Sequence, residues 1–494
     1  MTRPINDETT ERPSAGLNRR TVLGGALAGG VALGTVRHAR AQAAVDEVDV
    51  VVIGAGFAGL TAALGVAAAG RSVRLIEARD RVGGRVLNHP IEGGRMIEAG
   101  GQFIGPTQNR MLELSQEFGI KTYPTYGEGH TVSVINGDRR IGDADTGPDS
   151  EFMKLAAQLD AMAAEVPVAA PWTAPRVDEW DSITLRSWVE ANTTNAETLG
   201  LFDGISDLWG ANARDVSLLF ALYYIAAAGD ADTPGSLTRL LAIGGGAQEQ
   251  RFDGGSQVLA EKMAATLGDE LILSAPVRRI SWSDSGVEVV TDGGSILGRQ
   301  AIVAVPPGLA AGIQFEPPLP TLRRQLLQRL PMGSLIKITA IYDRPFWRDA
   351  GLSGVSVNIG TAVRSSFDNS LPGDDRGIIL GFVGGENARS WAELNEAARR
   401  DDALASLASI LGDEALSPVD FFIQDWPADP WTGGGPVALA APGVLLSYGR
   451  AIRGPVGPLH WAGTETATYW IGYMEGAVQS GDRAAAEVLA ALAR

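Results

Sequence analysis

Residues 47–77 constrain the fold of this chain more than any other part of the sequence. The apolar run at 50–53 is typical of a parallel strand buried on both faces, and Gly54-Ala-Gly56-Phe-Ala-Gly59 follows at once. Residues 60–69 predict a helix, and residues 73–76 predict a second strand that leads to Glu77. The glycines allow a tight turn, close approach to a pyrophosphate and helix-on-strand packing, while the acid can accept ribose hydroxyls. The segment therefore predicts a dinucleotide-binding βαβ unit, with NAD and FAD both open.

Composition narrows the possible function classes. The 494 residues carry 41 Lys and Arg against 58 Asp and Glu, a net charge of −17, which excludes a basic nucleic-acid binder. Cysteine is absent, so disulfides, zinc-thiolate sites, iron–sulfur clusters and a cysteinyl link to a cofactor are excluded. The four histidines lack the spacing of metal sites, and the G-x-S-x-G motif of hydrolases does not occur. We therefore expect neither a metal site nor a hydrolase.

Residues 1–43 have the pattern of a processing signal rather than of a folded domain. Arg19-Arg20, a weakly apolar Gly/Ala-rich stretch and Ala41-Gln42-Ala43 resemble a twin-arginine signal peptide with its cleavage site. The apolar stretch has about 15 residues, whereas a membrane span needs roughly 20. The segment predicts export through the twin-arginine (Tat) translocon to the periplasm or the medium, without a membrane anchor. An incidental arginine pair in a disordered tail is the alternative.

Residues 78–85, Ala-Arg-Asp-Arg-Val-Gly-Gly-Arg, resemble the second nucleotide-contact motif of the flavin-containing amine oxidase family. This resemblance favours FAD over NAD. It continues in longer motifs as far as residue 487, and residues 50–487 are similar to a monoamine oxidase-type flavoprotein throughout. The motifs lie at 100–110, 170–175, 252–256, 331–337 and 461–478.

The resemblance implies an α/β fold, more fully an α+β two-domain flavoprotein. A Rossmann-type FAD-binding domain is expected at 44–123, 253–327 and 429–494. A discontinuous substrate domain of mixed sheet and helices is expected at 124–252 and 328–428. Local patterns agree with this division, because β-rich runs occur at 271–274, 287–291 and 301–305, and helical patterns at 151–166 and 217–228. The Pro/Trp-rich residues 167–181 predict a loop.

The expected cofactor contacts come from the βαβ unit and from the family motifs. Arg85 follows two glycines, and its guanidinium could bridge phosphate oxygens in a bidentate way, although a solvated loop arginine is the commoner case. The full expected set is Gly54, Gly56, Ala58, Gly59, Glu77, Arg79, Gly84, Arg85, Gly101, Gln102, Val277, Trp426, Gly463, Thr464, Glu465 and Met474.

Lys337 and Tyr473 are the candidate catalytic residues. Lys337 lies in residues 335–341, a run apolar on both faces, so its ammonium should point into the protein, where it needs a partner or a function. In the family it resembles, this lysine holds a water at flavin N5, the atom that receives the hydride; the alternative is a lysine that reaches solvent from an edge strand. Tyr473 implies an aromatic wall that holds the amine beside the flavin, with core packing as its alternative.

Four further residues are expected to contact substrate: Gln248, Leu241 as the gate to the inner cavity, Trp470 and Pro436. Pro436 stands where monoamine oxidases have the first tyrosine of an aromatic pair, so we expect Tyr473 to lack its partner and the cavity to be wider. No cysteine is available for the covalent flavin link of monoamine oxidases, so the FAD should be non-covalent. The Pro and Tyr pairing is similar to that of cyclohexylamine oxidases, which act on alicyclic primary amines.

The resemblance implies an FAD-dependent amine oxidase. A small alicyclic, alkyl or arylalkyl primary amine would be oxidised to an imine, which hydrolyses to an aldehyde or ketone and ammonia, while O₂ is reduced to H₂O₂. One alternative is an exported dehydrogenase of a cyclic secondary amine that passes electrons to a cytochrome. Others are an L-amino acid oxidase, for which the motifs place no arginine in the cavity, a polyamine oxidase, and a flavin-binding protein without catalysis. A homodimer is a family expectation.

Overall fold

A computed structural model describes residues 46–142 and 150–494 of the chain. These residues all belong to one compact unit, Val45–Arg494. The predicted signal segment, residues 1–43, lies outside the described residues. Within the described ranges, no helix has the length and hydropathy needed to cross a membrane. No group of three or more His, Asp or Glu side chains in the same ranges is arranged to hold a metal ion.

The strands of the described residues are named in chain order. They are β1 Asp46–Ile53, β2 Val73–Ile76, β3 Asn88–Ile91, β4 Arg95–Glu98, β5 Phe103–Ile104, β6 Thr122–Pro124, β7 His130–Ile135, β8 Asp138–Ile141, β9 Gln250–Phe252, β10 Leu271–Ile272, β11 Val277–Ser283, β12 Gly286–Thr291, β13 Gly294–Val303, β14 Gln314–Glu316, β15 Leu335–Tyr342, β16 Leu352–Ile359, β17 Ser365–Asp368, β18 Gly377–Gly384, β19 Asp420–Asp425 and β20 Leu459–Trp461.

The α-helices are named in the same way. They are α1 Phe57–Ala68, α2 Asn109–Glu117, α3 Glu151–Ala163, α4 Val177–Trp180, α5 Leu185–Asn192, α6 Ala196–Gly204, α7 Leu218–Ala226, α8 Leu237–Leu241, α9 Ser256–Leu267, α10 Pro307–Ala310, α11 Thr321–Gln328, α12 Phe346–Asp349, α13 Gly385–Ala392, α14 Glu396–Leu411, α15 Val444–Tyr448 and α16 Met474–Leu492.

The predicted βαβ unit opens an eight-stranded sheet. Its strand order is β10-β2-β1-β13-β12-β11-β14, with β20 beside β13. Strand β1 is parallel to both β2 and β13, and α1 connects β1 to β2. The helix predicted at 60–69 begins earlier, at Phe57, and ends at Ala68. Because Val50 and Val52 of β1 are fully buried among residues of α1 and α16, the first and last helices share one core.

A second, seven-stranded sheet has the order β19-β15-β18-β17-β16-β7-β8. Strand β15 is therefore internal, paired with β18 on one side and with β19 on the other. Its Ile336 and Ile338 pack in a core with Leu407 of α14 on one face of the sheet. Since strand side chains alternate between faces, Lys337 projects from the opposite face.

Helices α3 to α7 and the segment around residue 470 form a separate, largely apolar core. The helices predicted at 151–166 and 217–228 are observed as α3 and α7 with slightly shorter bounds. The loop predicted at 167–181 is wrong in part, because it contains α4. Trp180 at the end of that short helix is fully buried, so burial of an aromatic side chain outweighed the loop signal of the prolines.

Candidate active site

A cavity of about 790 Å³ runs from the carboxyl end of β1 to the apolar residues of α3 and α6. This volume is in the upper part of the roughly 300–1,000 Å³ range of ligand pockets, which suits a large cofactor with space beside it. Gly59, Glu465 and Trp470 are the predicted site residues that are not part of its lining. The predicted residues that line it are Gly54, Gly56, Ala58, Glu77, Arg79, Gly84, Arg85, Gly101, Gln102, Leu241, Gln248, Val277, Lys337, Trp426, Pro436, Gly463, Thr464, Tyr473 and Met474.

The three glycines after β1 have different roles. Gly54 has a φ of +101°, and a Cβ there would lie 2.8 Å from the Ala304 carbonyl oxygen. A Cβ on Gly59 would lie 1.8 Å from the Gly54 carbonyl oxygen, so Gly59 is needed for packing rather than for contact with a ligand. At Gly56 the nearest protein atom to such a Cβ is 3.9 Å away. Protein packing therefore does not require glycine at 56, but close approach of a phosphate does.

Glu77 is a buried lining residue whose two carboxylate oxygens accept backbone hydrogen bonds. Its Oε2 accepts a hydrogen bond from Ala55 N at 2.8 Å, and its Oε1 accepts one from Arg79 N at 3.0 Å. The guanidinium of Arg79 turns toward the segment near residue 430, where Nη2 donates to Asp429 Oδ1 at 2.6 Å and to Thr432 Oγ1 at 2.5 Å. The carboxylate keeps lone pairs free for ribose hydroxyls, because each oxygen can accept two hydrogen bonds.

Arg85 forms a bidentate ion pair with a protein carboxylate rather than presenting an open fork to phosphate. Its Nη1 donates to Glu465 Oε1 at 2.6 Å, and its Nη2 donates to Glu465 Oε2 at 3.2 Å. Nη1 also donates to the Pro436 carbonyl oxygen at 2.6 Å. Arg85 thus holds the segments around residues 436 and 465 together beside the cavity. Glu465 does not line the cavity itself, but its ion pair fixes the position of Arg85.

Lys337 is the buried cation of the cavity. It is 2% exposed, and its Nζ donates to the Gly100 carbonyl oxygen at 3.0 Å and to Gln102 Oε1. Burial lowers the pKa of Lys337 to about 7, an effect opposed by the charge of Glu98 and reinforced by that of Arg251. The internal position of β15 rules out a lysine that reaches solvent from an edge strand. An ammonium carries three donors, so one N–H remains for a group in the cavity.

A buried hydrogen-bonded network supports the lysine. Gln102 Nε2 donates to Asn369 Oδ1 at 2.7 Å, and Arg251 Nη1 donates to the Asn369 carbonyl oxygen at 3.0 Å. Arg251 Nη2 also forms an ion pair with Glu98 Oε2 at 2.5 Å. The network therefore links Lys337 to an ion pair on β4 and β9.

Tyr473 has an aromatic neighbour that the sequence did not predict. Tyr224 of α7 lines the same cavity, and its ring centroid lies 6.1 Å from that of Tyr473 at an interplanar angle of 44°. Tyr473 therefore has an aromatic neighbour from α7, while Pro436 leaves the position of the family's first tyrosine without a ring. Trp470 packs edge-on against Tyr473 at 4.8 Å and donates from Nε1 to Thr107 Oγ1 at 3.0 Å. Trp470 thus stands behind Tyr473 rather than in the cavity, contrary to its predicted contact with substrate.

The predicted gate and orienting residue lie at the other side of the cavity. Leu241 ends α8 and is 37% exposed, as a residue near an opening would be. Gln248 is 8% exposed and donates from Nε2 to the Leu240 carbonyl oxygen at 3.0 Å. Within the described residues its Oε1 has no hydrogen-bond partner, so it can accept one from a ligand in the cavity.

Arg364, between β16 and β17, also lines the cavity. Its Nη1 donates to the Asp203 carbonyl oxygen at 2.8 Å. We call the part of the cavity lined by α3 and α6 the substrate end, and the part lined by the β1–α1 turn the nucleotide end. The sequence motifs placed no arginine at the substrate end, and the structure corrects that expectation. Glu77 is the sole carboxylate among the described lining residues, and it belongs to the nucleotide end.

Comparison with known proteins decides the family. Residues 57–489 match the family described as flavin containing amine oxidoreductase. The chain belongs to this family. Its enzymes use FAD and oxidise amines, so the chain is a flavin-dependent amine oxidoreductase.

Three relatives of this amine oxidoreductase span almost the whole length. AofH of Mycobacterium tuberculosis, named as a flavin-containing monoamine oxidase, is 43% identical and covers 90% of this chain and 97% of its own. The L-amino acid dehydrogenase of Synechocystis is 36% identical, with 90% and 95% covered. The putrescine oxidase of Kocuria rosea is 37% identical, with 90% and 96% covered. Different substrate classes therefore occur at similar identity, and identity alone does not select among them.

The structure of cyclohexylamine oxidase from Brevibacterium oxydans IH-35A superposes with a TM-score of 0.85 at 34% identity, covering 90% of this chain and all of that one. The predicted α/β fold of a two-domain flavoprotein is confirmed. The domain boundaries given above remain predictions, because the described residues form one compact unit.

The nucleotide end of the amine oxidoreductase fits FAD. Gly56 leaves room for a pyrophosphate, Glu77 offers lone pairs to ribose, and Met474 brings the start of the long helix α16 into the cavity lining. A helix start carries a partial positive charge that suits an anionic ring. Since the sequence has no cysteine, a cysteinyl thioether cannot form, and the FAD is non-covalent.

Proposed function

We propose that this amine oxidoreductase oxidises a primary amine with a small apolar body, of the alicyclic, alkyl or arylalkyl class. The observation that carries the proposal is the lining of the substrate end. Phe152 and Met153 of α3, Leu201 of α6 and Val357 of β16 supply an apolar wall, and Tyr224 and Tyr473 supply an aromatic one. Among the described lining residues no carboxylate at this end would pair with a second ammonium, which disfavours diamines.

The proposed reaction removes a hydride from the α-carbon of the neutral amine and leaves a protonated imine. This imine releases its proton, and water hydrolyses it to an aldehyde or ketone and ammonia. Bound FAD would supply the acceptor for this hydride, and its two electrons, with the released proton, would reduce O₂ to H₂O₂. The residues of the chain orient the amine and keep water from the reacting carbon. Tyr473 and Tyr224 bound the site of the amine, Gln248 Oε1 can accept an N–H, and Lys337 presents its third donor at the cavity.

The test is anaerobic mixing of the holoenzyme with a panel of amines. The panel contains cyclohexylamine, benzylamine, putrescine, a cyclic secondary amine and an L-amino acid, and the visible absorbance of the flavin is followed. We expect rapid bleaching by cyclohexylamine, and recovery of colour with stoichiometric H₂O₂ when air is admitted. Bleaching by none of these compounds would refute amine oxidation by this chain. Bleaching by secondary amines alone, with slow recovery in air, would favour the dehydrogenase alternative with a cytochrome acceptor.

A second candidate, oxidation of L-amino acids, is favoured by Arg364. A guanidinium in an apolar cavity is a suitable partner for the carboxylate of such a substrate. The similarity to an L-amino acid dehydrogenase supports the same reading. Faster bleaching by an L-amino acid than by cyclohexylamine would select this candidate.

We also propose that the enzyme is exported by the Tat translocon to the periplasm or medium and acts there as a homodimer. The twin-arginine motif and cleavage pattern of residues 18–43 support export. Replacement of Arg19 and Arg20 by lysine should leave the protein in the cytoplasm, which cell fractionation measures; unaltered export would refute the proposal. Light scattering of the purified holoenzyme tests the dimer.

A further inference from the structure

A buried ion pair lies close to Lys337 and is not among the residues used in the reaction proposed above. Glu98 ends β4 and Arg251 lies in β9, and both side chains are 1% exposed at a separation of 2.5 Å. Removing two charges from water is costly, and apolar side chains of similar volume are often as stable or more so. Stability alone therefore does not account for this pair.

Two connections lead from the pair to the lysine. Glu98 begins the segment 98–102, which supplies both acceptors of Lys337, the Gly100 carbonyl and Gln102 Oε1. Arg251 holds Asn369, and Asn369 in turn accepts from Gln102 Nε2 at 2.7 Å. This last bond directs the amide nitrogen of Gln102 away from Lys337 and the amide oxygen toward it. The ammonium is therefore held by groups that the ion pair fixes in place.

The two charges also act on Lys337 in opposite directions. The negative charge of Glu98 raises the pKa of Lys337, and the positive charge of Arg251 lowers it. Other charged groups nearby have partners of their own: Asp368 pairs with Arg348 at 2.7 Å, and Asp425 pairs with Arg399 at 2.9 Å. The phenol of Tyr123 lies beneath Arg251, with the guanidinium carbon 5.2 Å from the ring centroid.

We propose that Glu98 and Arg251 are positioning residues that direct the Lys337 ammonium into the cavity and are electrostatically coupled to it. This inference rests on the proposed function only in assuming that Lys337 takes part in the reaction. Its own content is the coupling of the pair to the lysine, and that coupling is measurable without an amine substrate.

The test uses Glu98→Gln and Arg251→Gln, each made with and without Lys337→Met. Thermal unfolding of the FAD-loaded proteins is measured from pH 5 to 9.5, and the difference caused by Lys337→Met gives the titration of Lys337 in each background. We expect the apparent pKa of Lys337 to fall by about one unit in Glu98→Gln and to rise by about one unit in Arg251→Gln. Shifts in the same direction, or none, would overturn the proposal, because two opposite charges coupled to Lys337 must move its pKa in opposite directions.

Asp181→Asn is the matched control, since Asp181 is a carboxylate of equal burial that accepts hydrogen bonds near residue 446. It should leave the titration of Lys337 unchanged, and a shift as large as that of Glu98→Gln would also overturn the proposal.

Positioning is tested separately with Asn369→Ala, which keeps both charges but frees Gln102. We expect the rate constant of anaerobic flavin reduction to fall about tenfold with little change in the Kd of the amine.

If a single charge variant fails to fold, Glu98→Met/Arg251→Met removes the pair together and should fold. That double variant should show the same loss of reduction rate, and a wild-type rate would overturn the positioning role. If no amine in the panel reduces the flavin of the wild type, the proposed function fails, whereas the thermal test of the coupling to Lys337 remains valid.

Discussion

Replacement of Lys337 by methionine should make stability less dependent on pH. Burial lowers the pKa of Lys337 from its ordinary 10.5 to about 7. One unit corresponds to about 1.36 kcal/mol, so the protonated lysine costs the folded state about 5 kcal/mol. Lys337 is 2% exposed, so little of this cost is screened by solvent.

The sign follows from proton binding. Below pH 7 the lysine is protonated in both states, and the whole cost is present. Between pH 7 and 10.5 the unfolded chain binds one more proton than the folded protein, so the free energy of unfolding of the wild type rises with pH. Lys337→Met has no such group. It also leaves the Gly100 carbonyl and Gln102 Oε1 without their donor, at about 1–3 kcal/mol each, but this loss does not depend on pH.

The assay is thermal unfolding of both FAD-loaded proteins from pH 6 to 9.5. A folded unit of residues 45–494 has an unfolding entropy of about 0.9 kcal/mol per degree. The Tm of the wild type minus that of the variant should therefore increase by about 3 to 4 °C as the pH is raised from 6 to 9.5. Lys262→Met is the control, because Lys262 is an exposed lysine that donates to the Phe118 carbonyl oxygen. A constant difference between wild type and Lys337→Met would show that Lys337 keeps its proton to high pH, and the reasoning would fail.

Four further predictions concern the two ends of the cavity. Denaturation in urea should release all flavin into a protein-free filtrate; flavin retained on the chain would contradict non-covalent binding. Gly56→Ala should weaken FAD binding about tenfold in a titration of the apoprotein while the protein still folds, whereas Gly59→Ala should yield no soluble holoenzyme. Tyr224→Leu should raise the KM for cyclohexylamine about tenfold, and Tyr224→Phe should not; equal effects would rule out a role for the ring. Arg364→Met should raise the KM for L-amino acids at least about tenfold relative to that for cyclohexylamine, and an unchanged ratio would remove Arg364 from substrate recognition.

Local signals in the sequence predicted the nucleotide end well. The apolar run of β1, the glycines and the acid at 77 lie within one βαβ unit, so their spacing in the sequence is enough to predict how they are arranged in space. The burial of Lys337 was also predictable, because apolar neighbours on both sides indicate a strand enclosed on both faces.

The sequence could not predict contacts that join distant segments. Tyr224 and Tyr473 are 249 positions apart, and Glu98 and Arg251 are 153 apart. Tyr224 belongs to a helix in which almost every residue is apolar, so nothing distinguishes the face that meets the cavity. Arg364 lies in a short connection between strands, where an arginine ordinarily reaches solvent. The motif at 461–478 suggested Trp470 as a substrate contact, but the same motif also holds residues that only support Tyr473.

The distribution of charge along the cavity has a consequence for the chemistry. Arginines near the nucleotide end have partners, since Arg79 pairs with Asp429 and Arg85 with Glu465, and these pairs fix loops around the site. Lys337 has no carboxylate within ion-pair distance in the described chain, and its nearest support is neutral. A cation held by neutral acceptors keeps a pKa that small changes of field can move through neutrality. The fold therefore places a lysine that can gain or lose its proton near neutral pH beside the apolar part of the cavity. It places ion-paired arginines at the nucleotide end, and this arrangement suits the oxidation of a neutral amine.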